Sequence, residues 1–197
     1  CLNVIIYIIV FMELLIRDAT DKDIPSILNL LYELERPRPL DDNEIKIFKH
    51  KIIDYFTDSK KIILVAEQDE KIVGMVDIIY LQRLNRAKSE MYIPELIVTE
   101  NLRYFGIGKK LMQYCVDLAK KKNCYRIRLE SGNQRKESHK FYKSIGFEQS
   151  SLTFTKSILW LLQDQQNHYN VKFLHGYDKF IHLKNNQLVL KNGQLYK

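Results

Sequence analysis

Cysteine is scarce in this chain of 197 residues. Only Cys1, Cys115 and Cys124 are present. Three thiols are too few for a disulfide framework, and an odd number leaves one unpaired. Reduced thiols in a cytoplasmic protein are the simplest reading. No Cys-x-x-Cys and no His-x-x-x-His spacing occurs, so no metal site is signalled. Long apolar runs are missing as well. Cys1–Phe11 is almost wholly apolar but has 11 residues, against about 20 needed to span a bilayer. It also lacks the basic segment and small-residue cleavage site of a secretory signal. No membrane partner is expected from it. A basic stretch interleaved with aromatic residues, the mark of a nucleic-acid stacking platform, is absent too.

What is present suits one domain of ordinary size. Hydrophobic residues make up 46% and charged residues 28%, enough apolar surface for a core. Lysine plus arginine number 31 and aspartate plus glutamate 24, a formal net charge of +7. That surplus permits an anionic partner without choosing one. The tail from residue 158 carries five lysines and two aspartates, so the remainder holds about +4. This is enough to welcome one phosphorylated cofactor and gives no reason to invoke nucleic acid.

The two ends differ from the middle. The expectation is that Met12 is the biological start, with residues 1–11 an apolar extension outside the domain, and that the domain occupies residues 12–157. Residues 158–197 contain ten Asn or Gln and three of the five histidines. They read as a loosely ordered tail with strand-like pieces at Val171–Leu174 and Gln187–Leu190. Asn192-Gly193 suits a hairpin turn, but too little chain follows to supply a partner strand.

The middle alternates strands and helices. Leu14–Ala19 reads as a strand. Asp21 or Asp23 caps a helix with Pro25 in its first turn, and Ile24, Ile27, Leu28, Leu31 and Leu34 recur at helical spacing. Arg36-Pro37-Arg38-Pro39 breaks it. Glu44–Phe56 is a second helix. Ile62–Glu67 and Ile72–Leu81 form a hairpin. Met91–Val98 is a strand interrupted at Pro94. Gly106–Lys122 is the clearest helix, with Ile107, Leu111, Cys115, Leu118 and Ala119 as its apolar stripe. Arg126–Glu130 is a strand, Lys136–Ile145 a helix ended by Gly146, and Phe147 onward a final strand pair containing Leu152 and Phe154. The order gives an α/β (α+β) fold, a mixed sheet covered by helices.

One segment carries chemistry. Glu95–Val98 is the end of an apolar strand; after a short linker, Arg103-x-x-Gly106-x-Gly108 opens the long helix. Unpaired N–H groups and partial positive charge at a helix N-terminus, approached closely across glycine, make a pyrophosphate cradle. The Gly-Lys-[Ser/Thr] ending of a P-loop is missing, and so is a dinucleotide fingerprint. A tight strand-to-helix turn with no ligand is the alternative for this motif alone.

This segment resembles the acetyl-CoA signature of the GNAT N-acetyltransferase superfamily, Arg/Gln-x-x-Gly-x-Gly/Ala after the fourth strand. A second element at the right distance, Glu137-Ser-His-Lys-Phe-Tyr-Lys-Ser-Ile-Gly-Phe147, is similar to the family's Ala-x-x-Phe-Tyr-x-x-x-Gly-Phe, with Ser138 where alanine is usual. The strand Pro94-Glu-Leu-Ile-Val98 looks most like the branch that includes aminoalkylphosphonate acetyltransferases. The resemblance covers residues 12–157 and implies a mostly antiparallel mixed sheet, flanked by helices and splayed after the fourth strand.

It also implies transfer of an acetyl group from acetyl-CoA to a primary amine by direct attack. That chemistry needs a base, a donor to the developing oxyanion and an acid for the departing sulfur. Glu95 is the candidate base and Tyr142 the candidate acid, since a phenol near pKa 10 lies close to a departing thiol. Backbone N–H groups of Leu96, Ile97 and Val98 would pair with the pantetheine arm like an added strand, with that of Ile97 polarising the thioester. Arg103, Tyr104, Phe105, Gly106, Ile107 and Gly108 form the cradle, and Asn133 resembles the family's cofactor-contacting asparagine. The segments Glu35–Asp42 and Leu81–Arg86 shape the acceptor site. A small amine, an aminophosphonate, an antibiotic amine or a protein amino group all stay open as acceptor, as does a homodimer. A non-catalytic CoA-binding module on the same fold is the alternative to an enzyme.

Overall fold

Alternating apolar residues in two long strands set up the architecture. The computed structural model describes residues 14–156, together with the backbone of 181–184, 187–190 and 195–196. The expectations for residues 1–11 and for Val171–Leu174 lie outside the described residues. The chain divides into two units, Cys1–Gln149 and Ser150–Lys197.

In the first unit, β1 (Leu15–Asp18), β2 (Lys61–Gln68), β3 (Lys71–Leu81), β4 (Glu90–Ile93) and β6 (Arg126–Leu129) lie side by side, and β5 (Leu96–Val98) pairs with β3 beyond β4. Pairing is antiparallel except between β4 and β6, where Glu90 faces Arg126 and Ile93 faces Leu129 in a parallel register. After Ile93 the chain leaves β6 and continues along β3 as β5, so the sheet splays at Pro94–Glu95. Proline has no N–H to give to a ladder, which accounts for the break at that residue.

Strand alternation sends two sets of side chains to opposite faces. Leu64, Ala66, Val76 and Ile78 pack against Leu111, Met112 and Cys115 of α3 (Ile107–Lys121). Ile63, Val65, Met75 and Ile97 pack against α1 (Ile24–Glu33) and α2 (Asp42–Thr57). Asp41 caps α2 by accepting the Glu44 N–H at 2.8 Å, and the Glu44 carboxylate accepts the N–H of Leu40, the residue before the cap, at 2.8 Å. Helix α4 (Lys136–Ser144) closes the α3 face through Phe141, Ile145 and Phe147.

The expected final strand pair does not form in the described residues. The Phe147 N–H folds back onto the Tyr142 carbonyl at 3.0 Å, closing α4 at Gly146, whose φ of 89° suits a glycine cap. Residues 148–156 have no regular structure, and Leu152 and Phe154 are exposed. Their alternation is that of a strand, but no strand among the described residues pairs with them.

In the second unit, β7 (Ile181–Lys184), β8 (Gln187–Leu190) and β9 (Leu195–Tyr196) form an antiparallel sheet of their own. The strand read at Gln187–Leu190 is present. The residues after Asn192-Gly193 do supply a two-residue partner, Leu195 and Tyr196 against Val189 and Leu188, contrary to the sequence reading.

Candidate active site

The splay opens a cavity of about 910 Å³ between the C-terminal ends of β4 and β6, the start of α3 and helix α4. Glu95, Leu96, Ile97, Val98, Arg103, Tyr104, Gly106, Gly108 and Tyr142 all line it. The structure therefore brings together residues that the sequence separates by almost fifty positions.

The cradle is built by backbone. Gly106 takes φ 83°, left-handed, as the residue before α3. The first helical hydrogen bond runs from the Lys110 N–H to the Gly106 carbonyl at 3.0 Å. The N–H groups of Ile107, Gly108 and Lys109 therefore have no partner within the helix. A Cβ on Gly108 would lie 3.4 Å from the Phe141 ring and 3.7 Å from a Val98 methyl, so glycine keeps the channel between α3, β5 and α4 open. These features fit an anionic, strand-like ligand.

Of the residues expected to contact the cofactor, the side chains of Phe105, Ile107 and Asn133 do not line the cavity. Ile107 turns its side chain into the core, and Phe105 is 76% exposed to solvent. Asn133 lies between two lining residues, Gly132 and Gln134, without lining the cavity itself. Arg103 is exposed, and its Nε donates to the Val98 carbonyl at 3.2 Å.

The role expected of the Ile97 amide is also corrected. The Asp77 N–H reaches the Glu95 carbonyl at 3.1 Å, and the Thr99 N–H reaches the Val73 carbonyl at 2.9 Å. Ile97 faces Met75 midway between them. Hydrogen-bonded pairs alternate along an antiparallel ladder, so the Ile97 N–H points at β3. The groups of Leu96 and Val98 point away from β3, toward the splay.

Glu95 is held at its carboxylate by Arg36, from the loop between α1 and α2, at 2.7 Å. Its side chain is 20% exposed. Its N–H donates to Asp77 Oδ1 at 2.6 Å. Asp77 was not singled out by the sequence reading. The signal was there, as the sole charged residue in the apolar run Ile72–Leu81. Burial pushes its carboxyl up to about 7, with the neighbouring Glu95 charge adding to the rise and hydrogen bonds from the Glu95 N–H and Tyr55 opposing it. Tyr55 of α2 donates to Asp77 Oδ2 at 3.1 Å.

Tyr142 is half-buried, with its ring 5.3 Å from that of Phe141 and 6.0 Å from that of Phe147. Burial pushes its phenol up to about 12; Arg135 opposes the rise and Glu95 adds to it. The phenol stays protonated throughout the working range. It is a weaker acid than the unperturbed group, so full transfer to a thiolate is uphill rather than level.

The walls of the cavity are tied across long stretches of chain. Arg135 donates to the Leu34 carbonyl at 2.9 Å. Glu33, in the last turn of α1, accepts from the Thr99 hydroxyl and the Glu100 N–H, both at 3.1 Å. Glu90 lies away from this centre. Burial raises its carboxyl, but hydrogen bonds from Arg128, Arg126, Tyr125 and Arg83 outweigh that and hold it at about 2. Cys115 is fully buried, and burial pushes its thiol up to about 12, which suits packing and not attack. No cluster of metal-ligating side chains occurs among the described residues, and no helix among them is long and apolar enough to cross a membrane.

The pattern of the acetyltransferase (GNAT) family matches residues 27–147. The chain belongs to this family. It is 25% identical over 143 residues to the aminoalkylphosphonate N-acetyltransferase of Salmonella typhimurium, covering 73% of this chain and 90% of that one. It is 38% identical over 80 residues to the uncharacterized N-acetyltransferase YhdJ of Bacillus subtilis, covering 40% of this chain and 56% of that protein. Among solved structures, a transcriptional regulator from Bacillus halodurans superposes with a TM-score of 0.68 at 24% identity, covering 74% of this chain and all of that one. An aminoglycoside N-acetyltransferase in complex with CoA superposes with a TM-score of 0.66 at 15% identity, covering 75% of this chain and 95% of that one. These two likenesses establish the shared fold. Acetyl transfer is the chemistry of the GNAT family to which this chain belongs.

Proposed function

We propose that this GNAT protein transfers an acetyl group from acetyl-CoA to a primary amine by direct attack. The convergence of Glu95, Tyr142, the outward amides of β5 and the open N-terminus of α3 on one cavity carries the reading. The N-terminal amides of α3 receive the pyrophosphate of acetyl-CoA, and Leu96 and Val98 pair with its pantetheine arm. Glu95 takes a proton from the acceptor ammonium, directly or through water. The amine nitrogen bonds to the thioester carbon, an outward β5 amide donates to the developing oxyanion, and the carbon–sulfur bond breaks. Tyr142 donates a hydrogen bond to the departing sulfur, and the second proton shed by the nitrogen as the amide forms passes to that thiolate, leaving CoA as the free thiol.

The Glu95–Arg36 ion pair bears on the acceptor. An incoming ammonium pairs with Glu95 beside the Arg36 guanidinium. An acceptor with both an ammonium and an anionic group suits a carboxylate and a guanidinium held side by side. Aminoalkylphosphonates, named for the Salmonella relative, have this character and head the panel to be tried. A thiol-release assay with acetyl-CoA and a set of amines with and without a neighbouring anion tests the reading. Release in step with acetylated amine supports it. Tight CoA binding with no turnover of any amine would replace it with a non-catalytic CoA-binding module.

A further inference from the structure

Asp77 is a carboxylate set into the layer that packs against α1 and α2. It is 8% exposed, and strand parity places it on the face of Met75, between β3 and α2. Burying a carboxyl is unfavourable, and an aliphatic residue would pack there with less penalty. Its contacts explain what it does. Between the pairs Val76–Leu96 and Ile79–Tyr92, β3 spends two residues, Asp77 and Ile78, while the facing chain spends three, Ile93, Pro94 and Glu95. The facing chain thus carries a one-residue bulge. The Glu95 carbonyl still accepts the Asp77 N–H at 3.1 Å. The Glu95 N–H donates instead to the Asp77 carboxylate, at 2.6 Å. Both main-chain polar groups of Glu95 are therefore held by one residue, whose other carboxylate oxygen is anchored by the Tyr55 hydroxyl at 3.1 Å.

We propose that Asp77 is the positioning residue for Glu95: by gripping the Glu95 main chain at the bulge, it fixes the direction in which the Glu95 carboxylate enters the acceptor end of the cavity. The proposal rests on the reading of Glu95 as the base. Misplacement of a catalytic group by about 1 Å can lower a rate on the order of 100-fold, so the grip has catalytic consequence without contact to substrate. An amide at position 77 preserves the arrangement, because its oxygen accepts the Glu95 N–H and its NH₂ donates to the Tyr55 oxygen.

The test measures kcat and KM for acetyl-CoA in the full chain, with an amine that the wild type acetylates, for D77A, D77N, Y55F, E95Q, D77A/E95Q and Y55F/E95Q. Expected for D77A is a kcat lower by about 10- to 100-fold with KM for acetyl-CoA within about twofold. D77N recovers to within about threefold of wild type, and D77A adds less than about twofold on top of E95Q. Equal damage in D77N and D77A would assign the effect to charge and overturn positioning. Multiplying effects in the double variant, a D77A enzyme with wild-type kcat, or KM rising in step with the loss of kcat would each overturn it too. If D77A does not fold, Y55F carries the same comparison: a kcat lower by about threefold that vanishes in the E95Q background supports the grip, and no change refutes it. E95Q with full activity removes the base reading itself, whereas an inactive E95Q beside a fully active D77A removes only the role of Asp77.

Discussion

Replacing Gly108 tests the cradle by filling it. The Cβ of G108A would sit 3.4 Å from the Phe141 ring and 3.7 Å from a Val98 methyl, in ordinary van der Waals contact. G108V adds two further methyl groups on that Cβ, and these meet Phe141 and Val98 or project into the channel beside the free N–H groups of α3. A ligand lying along α3 would have to displace these methyl groups, and each 1.4 kcal/mol of that cost is about tenfold in a dissociation constant. G108A should therefore weaken CoA binding by less than about tenfold and G108V by about 30-fold or more. Isothermal titration calorimetry with CoA reads both, and circular dichroism confirms that the fold is kept. G108V with wild-type CoA affinity would refute the cradle, since no ligand could then lie along α3 where the amides are unpaired.

Three other perturbations have definite outcomes. Tyr142→Phe should lower kcat by about tenfold or more with little change in KM for acetyl-CoA in steady-state assays; unchanged turnover removes Tyr142 from the mechanism. Asp77→Asn should be more stable than wild type at pH 8, read by urea denaturation. The folded carboxyl is raised from 3.8 to about 7, so the native state keeps a proton that the unfolded chain has lost. Wild-type stability falls as pH rises between those values, by on the order of 2–4 kcal/mol, and the asparagine variant should lack that slope. Glu90 has the opposite sign. Its carboxyl is lowered from 4.5 to about 2, so its stabilisation is complete above about 4.5 and is lost as pH falls toward 2. Glu90→Gln should lower stability by about 3 kcal/mol at pH 7 by leaving Arg83, Arg126 and Arg128 without their shared carboxylate, and an unchanged denaturation midpoint would contradict this.

The sequence made the local elements and the backbone cradle legible because both depend on neighbours in the chain. Helical spacing marked α1 and α3, and Pro94 marked the splay. Glycines at 106 and 108 marked the start of α3, and the structure shows one adopting a positive φ and the other keeping a channel open. What escaped depends on partners far away in sequence. The Arg36–Glu95 pair spans 59 residues and the Arg135–Leu34 contact 101. The direction of the Ile97 amide follows from which β3 residue it faces, and alternation within one strand cannot supply that. Asp77 is a single charge in the apolar run Ile72–Leu81, and only the bulge opposite it gives the carboxylate a purpose. Leu152 and Phe154 alternate as a strand would, yet pairing needs a neighbour that the pattern cannot specify.

The central claim is that Glu95 deprotonates an amine held beside bound acetyl-CoA. The direct measurement is single-turnover acetylation of an amine substrate by wild type and Glu95→Gln, both saturated with acetyl-CoA. The account predicts a rate at least about 100-fold lower for Glu95→Gln, with CoA affinity unchanged by calorimetry. Equal rates in the two proteins would contradict it.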